Sequence, residues 1–446
     1  MRFLSDNAIK YTVWQLFQIV GIRENSEILS ANLVADHCRL IITISENKQI
    51  IFKLMNQIEA ELLLKGELML KWIASFDEKV SVPVFFSILS DDFASIDDKK
   101  VIINADIITL SFIMLSRYEE ILIQERDQHN RFEYKNSLAC KYNFIDIPIV
   151  DEYAMLLRKW LLKFIPSLEI LKKKPEIIPT HDIDGIRRFG NLFRNIETIV
   201  GGDIISRKSL SIAYKSLKQC FVAIKNSNKD PLIIAIERFI EVSMMFGLCS
   251  EFYFKGLQKG EKNATYDIFV PEVKYCMNKI RDAEMIIGMH GGYDSYNNEL
   301  NYQHEKENIE LVYGEAVKTG RQHFLRFDIN KTIPVWQKCG LKNDSTLGYA
   351  EREGFRCGTC HEYYLYDLEN DFTSTVKERP LIVMDGTLLE YRGQSIETAF
   401  AILEKLNKRC QAVEGNFVIL WHNHSMFRDY ENIFRDVYCK FLESIS

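Results

Sequence analysis

After residue 175 the chain alternates short apolar runs with long stretches whose apolar residues have helical spacing. This alternation is typical of a parallel α/β domain, because each parallel strand needs a crossover helix before the next one. Most of the apolar runs end in polar or ionisable residues, and in barrels of this class chemistry occurs at the C-terminal ends of strands. The predicted strands are 177–184, 250–254, 285–290, 322–327, 381–384 and 417–421.

The residues before this alternation predict a separate domain, since 446 residues exceed one typical core. The basic, proline-ended stretch 171–175 is the predicted linker. We therefore predict a mixed α/β domain of unassigned role at 1–170 and an α/β domain at 175–446. Predicted elements of the first domain are a β-hairpin at 39–44 and 49–52, a strand at 82–89, and helices at 105–124 and 150–164.

The composition is that of an ordinary globular protein. A net charge of -6 gives no electrostatic reason to expect nucleic acid or an anionic membrane as partner. No apolar run is long enough for a signal peptide or a membrane span, and the ten cysteines lack regular spacing. We therefore expect a cytoplasmic protein with reduced cysteines, whose oligomeric state the sequence does not indicate.

Two carboxylates follow the first predicted strand of the second domain. If residues 176–184 are extended, Asp182 and Asp184 project from the same face. Close carboxylates repel each other, and they are stabilised by a cation or by a shared proton. Gly185 allows the chain to turn directly afterwards. The alternative interpretation is an ordinary strand-end turn, in which Asp and Gly are common.

The order and spacing of the polar strand ends resemble the polysaccharide deacetylase family, also called carbohydrate esterase family four or the NodB homology domain. Residues 180–184 (Thr-His-Asp-Ile-Asp) resemble its motif Thr-Phe-Asp-Val-Asp, and residues 290–294 (His-Gly-Gly-Tyr-Asp) resemble His-Ser/Thr-x-x-His. Residues 321–324 loosely resemble Arg-x-Pro-Tyr, and residues 420–422 resemble Leu-x-His. A bacterial deacetylase-like subgroup with an extra N-terminal domain is similar to this chain also at 321–327, 344–349 and 354–360.

This resemblance implies a distorted (β/α) barrel that removes an acetyl group from an N-acetylated sugar of a polysaccharide or its precursor, using a metal-bound water. It implies that Asp182 is the base, that Arg321 orients Asp182, and that His422 is the acid for the departing amine. The substrate pocket that it implies comprises Leu420, Trp421 and Tyr293.

The chemistry of a divalent metal site can also be argued from the residues. Asp184 and His290 offer oxygen and nitrogen ligands suited to Zn²⁺, which lowers the pKa of a bound water to about 7. Asp294 is the expected third ligand, since a spacing of four returns to the same face of a helical turn. A second carboxylate would let Mn²⁺, Fe²⁺ or Co²⁺ compete with Zn²⁺. His323 is the rival ligand, and Arg326 is kept as a possible metal or substrate contact.

Several alternatives remain open at this point. The protein could be a carbohydrate-binding homologue without activity, or a metal-dependent phosphohydrolase. Residues 357–361 match a c-type haem attachment pattern, but two packed thiols are the expected state without an export signal. Residues 383–388 resemble a phosphatase motif, yet Val383 stands where the nucleophilic Asp is required.

Overall fold

The computed structural model describes residues 3–23, 26–29, 31–36, 39–45, 47–85, 92–190, 192–206, 208–427 and 433–445. Residues 86–89 of the predicted strand at 82–89 lie outside this description. The strands are β1 (Asn32–Ala35), β2 (Arg39–Ser45), β3 (Lys48–Lys53), β4 (Lys71–Ala74), β5 (Ser81–Val84), β6 (Ala94–Ile96), β7 (Lys100–Ile103), β8 (Ile177–Ile183), β9 (Glu251–Phe254), β10 (Ile286–Gly291), β11 (Thr319–Gln322), β12 (Asn343–Asp344), β13 (Tyr363–Asp367), β14 (Phe372–Glu378), β15 (Val383–Met384) and β16 (Phe417–Leu420).

The helices alternate with these strands in the second half of the chain. They are α1 (Asp6–Val20), α2 (Gln57–Lys65), α3 (Ile107–Ser116), α4 (Glu119–Leu122), α5 (Leu138–Lys141), α6 (Ile149–Phe164), α7 (Leu192–Ile196), α8 (Leu210–Lys225), α9 (Pro231–Met245), α10 (Pro271–Asp282), α11 (Glu299–Tyr313), α12 (Thr332–Lys338), α13 (Ile396–Ala412), α14 (Asn423–Phe427) and α15 (Ile433–Glu443). In the described part of the chain, no helix combines the length and apolarity needed to cross a membrane.

The largest sheet has nine strands in the order β13-β14-β12-β11-β10-β9-β8-β16-β15. All its neighbouring strands are parallel except β13, which pairs antiparallel with β14. The predicted α/β class with a parallel sheet is thus confirmed. No strand pairing joins β13 to β15 among the described residues, so the predicted closure into a barrel is not shown.

The N-terminal residues form a second, five-stranded sheet in the order β1-β2-β3-β7-β6. Strands β2 and β3 form the predicted antiparallel hairpin, and β4 pairs with β5 in a separate two-stranded sheet. The predicted helix at 105–124 is divided into α3 and α4, because Arg117 between them adopts a left-handed backbone conformation with φ 56°. Residues 171–176, which include the predicted linker, form neither helix nor strand.

The N-terminal residues and the large sheet share one continuous hydrophobic core. The ring of Tyr11 in α1 lies 4.8 Å from the ring of Tyr366 in β13. The buried Glu120 carboxylate also joins the two parts of the chain, since it accepts hydrogen bonds from Arg117 at 2.9 Å and from Arg356 at 2.8 Å. Separating the two parts of the chain would leave a buried charge without its partner, which is energetically costly. The ion network therefore stabilises the contact between them.

The connection between β8 and α9 is held close to the large sheet at both of its ends. Asp230 caps α9 by accepting a hydrogen bond from the backbone N–H of Leu232 at 3.0 Å. The same carboxylate accepts from the backbone N–H groups of Arg188 at 2.9 Å and of Phe189 at 3.0 Å. The intervening residues, which include α7 and α8, therefore form a long excursion from the C-terminal edge of the sheet.

Candidate functional site

A cavity of about 190 Å³ opens at the C-terminal edge of the parallel sheet. Because neighbouring parallel strands all end at this edge, residues that are distant in sequence meet there. The cavity is lined by Arg131, Asp182, Asp184, His290, His323, Phe324, Leu325, Ala350, Met384, Asp385, Gly386, Glu390, Tyr391, Leu420, His422, His424 and Ser425.

Asp184, His290 and His323 form a group whose potential ligand atoms all lie within 4.8 Å of one another. Asp184 follows β8, His290 lies in β10, and His323 follows β11. His290 Nε2 is 3.6 Å and His323 Nε2 is 3.4 Å from Asp184 Oδ1. Two imidazole nitrogens and one carboxylate oxygen are a ligand set that is common for Zn²⁺.

The tautomer of His290 is set by its second nitrogen. His290 Nδ1 lies 3.1 Å from the backbone carbonyl oxygen of Arg321, which can only accept a hydrogen bond. Nδ1 therefore carries the proton, and in the neutral ring Nε2 presents a lone pair towards Asp184. His290 Nε2 and Asp184 Oδ1 are both buried without a hydrogen-bond partner among the described residues. A lone pair facing a carboxylate oxygen is stabilised by a cation between them, so these residues fit a divalent metal ion.

Two glycines allow the chain to turn tightly behind His290. A Cβ atom on Gly291 would lie 2.3 Å from Gln322 Oε1, and one on Gly292 would lie 2.4 Å from Glu305 Oε1. The backbone N–H of Gly292 donates to Glu305 at 2.6 Å. These close contacts explain why the segment after His290 contains two residues without side chains.

A lysine that the sequence analysis did not consider also contacts this group. Lys255 follows β9, and its side chain is only 2% exposed. Its Nζ lies 2.7 Å from Asp184 Oδ1, at an angle that does not make a hydrogen bond, and 3.2 Å from His323 Nε2. Because an ammonium group can only donate, His323 Nε2 also presents a lone pair. The lysine must withdraw before a metal ion can contact both of these ligands.

The charges of the group affect its protonation. Burial alone would raise the pKa of Asp184, but His290, His323 and the Lys255 ammonium lower it well below its ordinary value. Burial lowers the pKa of His323 to about 4, and the neighbouring positive charges contribute to this shift. Near neutral pH, Asp184 is therefore ionised and His323 is uncharged, which is the state in which each can bind a metal ion.

Asp182 lies beside this group and is held by Arg321. Arg321 is buried, and its Nη1 donates to Asp182 Oδ1 at 3.1 Å and to Thr180 Oγ1 at 2.8 Å. Its Nε donates to the backbone carbonyl oxygen of Ser345 at 2.7 Å. The second oxygen of Asp182 lies 3.7 Å from His290 Nδ1. One carboxylate is thus fixed in orientation next to the candidate metal ligands.

His422 forms the opposite wall of the cavity together with Asp385. His422 Nδ1 lies 2.7 Å from Asp385 Oδ1, and the backbone N–H of His422 donates to Asp385 Oδ2 at 2.9 Å. Burial alone would lower the pKa of His422, but the Asp385 carboxylate raises it to about 10. Its other nitrogen, Nε2, lies 3.7 Å from Asp184 Oδ2. The site therefore places a protonated imidazole near the Asp184 carboxylate.

Comparisons with known proteins give one family match and several structural neighbours. Residues 4–166 match the model of a family of unknown function, DUF7033. A search of curated protein sequences gave no match.

Solved structures of polysaccharide deacetylases are similar to this chain. A candidate polysaccharide deacetylase from Mycobacterium smegmatis aligns over 62% of this chain and 85% of its own, with 14% identity and a TM-score of 0.40. A polysaccharide deacetylase from Bacillus cereus aligns over 47% of this chain and 82% of its own, with 14% identity and a TM-score of 0.26.

A third neighbour is a mutant, with restored enzymatic activity, of a carbohydrate esterase family four pseudoenzyme from Bacillus anthracis. It aligns over 63% of this chain and 69% of its own, with 10% identity and a TM-score of 0.29. Similarity at this level does not assign a role to any residue of the site.

Two residues that were predicted as metal ligands or possible metal contacts, Asp294 and Arg326, lie outside the ligand group. Asp294 is not part of it, because its carboxylate pairs with Lys262 at 2.5 Å and faces Arg326 Nη1 at 3.7 Å. Arg326 packs on the ring of Tyr293 and donates to the backbone carbonyl oxygen of His129 at 2.8 Å. The helical spacing assumed for Asp294 does not apply, since β10 continues in an extended conformation through Gly291. His323 therefore replaces Asp294 in the candidate ligand set.

The three predicted pocket residues differ in their positions. Leu420 lines the cavity, whereas Trp421 is fully buried and its indole N–H donates to the backbone carbonyl oxygen of Phe434 at 3.0 Å. The Tyr293 hydroxyl lies 3.2 Å from His129 Nδ1, outside the cavity lining. Trp421 and Tyr293 thus support neighbouring residues without reaching the cavity.

Further residues that line the cavity were not predicted from the sequence, among them Asp385, Arg131 and His424. Asp385 directly follows β15, and this position could have identified it, because the other polar strand ends were found in that way. Arg131 comes from the N-terminal part of the chain, where it pairs with Asp127 at 2.7 Å. It also donates to the backbone carbonyl oxygen of Phe324 at 3.2 Å. No pattern in the sequence connects Arg131 with the strand ends that form the rest of the cavity.

Proposed function

We propose that this protein is a metal-dependent hydrolase that removes the acetyl group from an N-acetylated sugar of a polysaccharide or its precursor. The observation that carries the proposal is the buried His290 Nε2 lone pair, which faces Asp184 Oδ1 although neither atom has a hydrogen-bond partner among the described residues. The motif resemblance of residues 180–184, 290–294 and 420–422 supports the same reaction class.

In this proposal Asp184, His290 and His323 hold the cation. Zn²⁺ is the preferred ion for two nitrogen ligands and one oxygen ligand, and Mn²⁺, Fe²⁺ or Co²⁺ are possible. The cation supplies Lewis-acid stabilisation of negative charge on the acetyl oxygen and makes a water molecule easier to deprotonate.

Asp182 acts as the general base. Arg321 and its hydrogen bond fix the orientation of the carboxylate, which leaves the second oxygen of Asp182 free to accept a proton from the attacking water. This oxygen lies 3.7 Å from His290 Nδ1, so Asp182 stands beside the candidate ligand group, where it can deprotonate a water.

His422 acts as the general acid. With a pKa of about 10 it is protonated near neutral pH, and Asp385 holds Nδ1 so that Nε2 faces the cavity. Nε2 can then donate its proton to the nitrogen that departs when the bond to the acetyl carbon breaks. Leu420 provides an apolar surface for the acetyl methyl group.

One observation favours a second candidate, a carbohydrate-binding protein without catalytic metal. The Lys255 ammonium already supplies a positive charge to Asp184 and His323. If this charge is retained permanently, the cavity can bind a sugar but lacks the cation for hydrolysis.

Metal content and product release separate the two candidates. The full chain, purified without chelator, is analysed for bound metal and then incubated with a panel of N-acetylated sugars while free acetate is measured. The proposal predicts bound metal, acetate release, loss of metal in Asp184→Ala, and loss of turnover with retained metal in Asp182→Asn. Full activity in both variants would refute it. Release of phosphate but not acetate from an N-acetylated sugar phosphate included in the panel would indicate a phosphohydrolase.

A further inference from the structure

A large apolar surface lies on the excursion between β8 and α9. Five side chains of α8, spaced three or four residues apart, form one stripe along the helix and point to solvent. The stripe comprises Leu210, Tyr214, Leu217, Phe221 and Ile224, which are between 58% and 76% exposed. We call this set the α8 stripe. Monomeric soluble proteins rarely expose so many large apolar residues on one helix face, so the α8 stripe indicates an interaction site.

A neighbouring face of α8, offset by about 100° around the helix axis, already packs against the protein. Its buried residues are small, namely Ala213, Ser216, Cys220 and Ala223. The helix thus places small side chains inside and large apolar side chains outside, which is the reverse of an ordinary amphipathic helix of a globular protein. The large apolar side chains of the α8 stripe therefore do not contribute to the hydrophobic core of this chain.

The positive charge near the α8 stripe indicates that its binding partner is negatively charged. Residues 185–229 contain nine Lys or Arg and only two Asp or Glu, although the whole chain has a net charge of -6. Lys215, Lys218 and Lys225 lie on α8 itself and are exposed. No carboxylate pairs with Lys215 or Lys218 in the part of the chain that the structure describes. Helix α8 thus carries exposed apolar side chains and exposed lysines side by side.

A groove of about 520 Å³ between α8 and α9 has the same character. Five of its lining residues are cationic and none is acidic. They are Lys215, Lys218, Lys229, Arg238 and Arg435. Apolar residues such as Val222 and Ile234 complete the lining. Such a groove suits an anionic group attached to an apolar body, and phospholipids with anionic headgroups have both.

We propose that the α8 stripe and its surrounding lysines dock this protein on an anionic lipid bilayer. The apolar side chains enter the boundary between headgroups and acyl chains, and the lysines contact the lipid phosphates. A second copy of this chain is the other possible occupant, but pairing two such surfaces would bring like charges together. Charge complementarity therefore favours the bilayer.

Docking of this surface would also hold the cavity near the membrane, because the excursion begins directly after Asp184. If the proposed deacetylase activity is also correct, a lipid-linked glycan is the substrate class that this arrangement fits. That consequence rests on the proposed function, whereas membrane docking does not.

Sedimentation with vesicles tests the docking surface without any measurement of activity. The full chain is mixed with vesicles of phosphatidylcholine alone or of equal parts phosphatidylcholine and phosphatidylglycerol. We expect partitioning only into the anionic vesicles, and weaker partitioning at high salt. The double variant Leu217→Glu, Phe221→Glu should lower the partition coefficient at least about tenfold, since each side chain loses its apolar contact with lipid. Lys218→Glu should lower it about fivefold or more.

The matched control is Leu300→Glu, Leu311→Glu, which changes two exposed apolar residues on α11. This control should partition like the wild type, and both double variants should keep the wild-type unfolding midpoint because all four side chains are exposed. The proposal is overturned if the wild type does not bind anionic vesicles, or if the α8 variant binds as well as the control. A wild-type dimer in ultracentrifugation that the α8 variant dissociates, without vesicle binding, would assign the surface to a second copy instead.

Discussion

Replacement of Lys255 by Met should strengthen metal binding. In the wild type a metal ion must displace the Lys255 ammonium from Asp184 and His323, which lie 2.7 Å and 3.2 Å from its Nζ. Met has a similar length and no charge, so in Lys255→Met this contact is already absent before the metal binds.

The size of the effect follows from the contacts that are lost. Breaking a buried ion pair by removal of one partner costs about 3–5 kcal/mol. Because the Asp184 side chain is 26% exposed, solvent screening reduces this cost, and we take about 1.5–3 kcal/mol. This corresponds to a dissociation constant for Zn²⁺ that is roughly 10- to 150-fold lower in the variant.

Isothermal titration of the metal-free proteins with Zn²⁺ or Co²⁺ measures the two dissociation constants directly. Lys262→Met is the matched control, since Lys262 pairs with Asp294, outside the candidate ligand set, and is 77% exposed. The control should bind metal like the wild type. Equal or weaker binding by Lys255→Met would show that the lysine and the metal do not compete, and would refute the reasoning.

Three further predictions concern other contacts. Asp385→Asn should lower the pKa of His422 from about 10 towards 6.5, which NMR titration of the metal-free protein measures. A raised histidine pKa stabilises the fold below about pH 6.5, and this stabilisation disappears as the pH rises towards 10. The free energy of unfolding of the variant should therefore lose this dependence on pH. Asp182→Asn should lower turnover about 10²- to 10⁴-fold while metal content stays unchanged, and an unchanged rate would remove Asp182 as the base. Glu120→Gln should lower the free energy of unfolding in urea by about 3–5 kcal/mol, because Arg356 loses a buried partner, and a change within experimental error would contradict this.

Several residues of the candidate site could be predicted from the sequence, because they follow apolar runs that are readily recognised as strands. Asp182, His290 and His422 each lie at or just after a buried strand, and parallel strands bring such positions to one edge. The choice between Asp294 and His323 as the third candidate ligand could not be made in this way, since the argument for Asp294 assumed a helical turn after His290. The structure instead has an extended segment and a tight glycine turn, which turns Asp294 towards Lys262.

Lys255 and Asp385 were missed for a different reason. Each directly follows a strand that was correctly predicted, but a single polar residue after an apolar run is too common to be selected by its type alone. Their importance depends on which strands are neighbours, and β15 pairs with β16 although more than thirty residues separate them. Net charge was also a poor guide, since an overall value of -6 conceals the positive segment at 185–229.

The position of Arg131 has a consequence for the history of this chain. A residue from the portion that matches a family of unknown function forms part of the wall of a cavity whose other residues follow the strands of the large sheet. Replacing either portion by the corresponding portion of a distant homologue would therefore alter the shape of the cavity wall. We expect the two portions to have been inherited together and to have diverged as one unit.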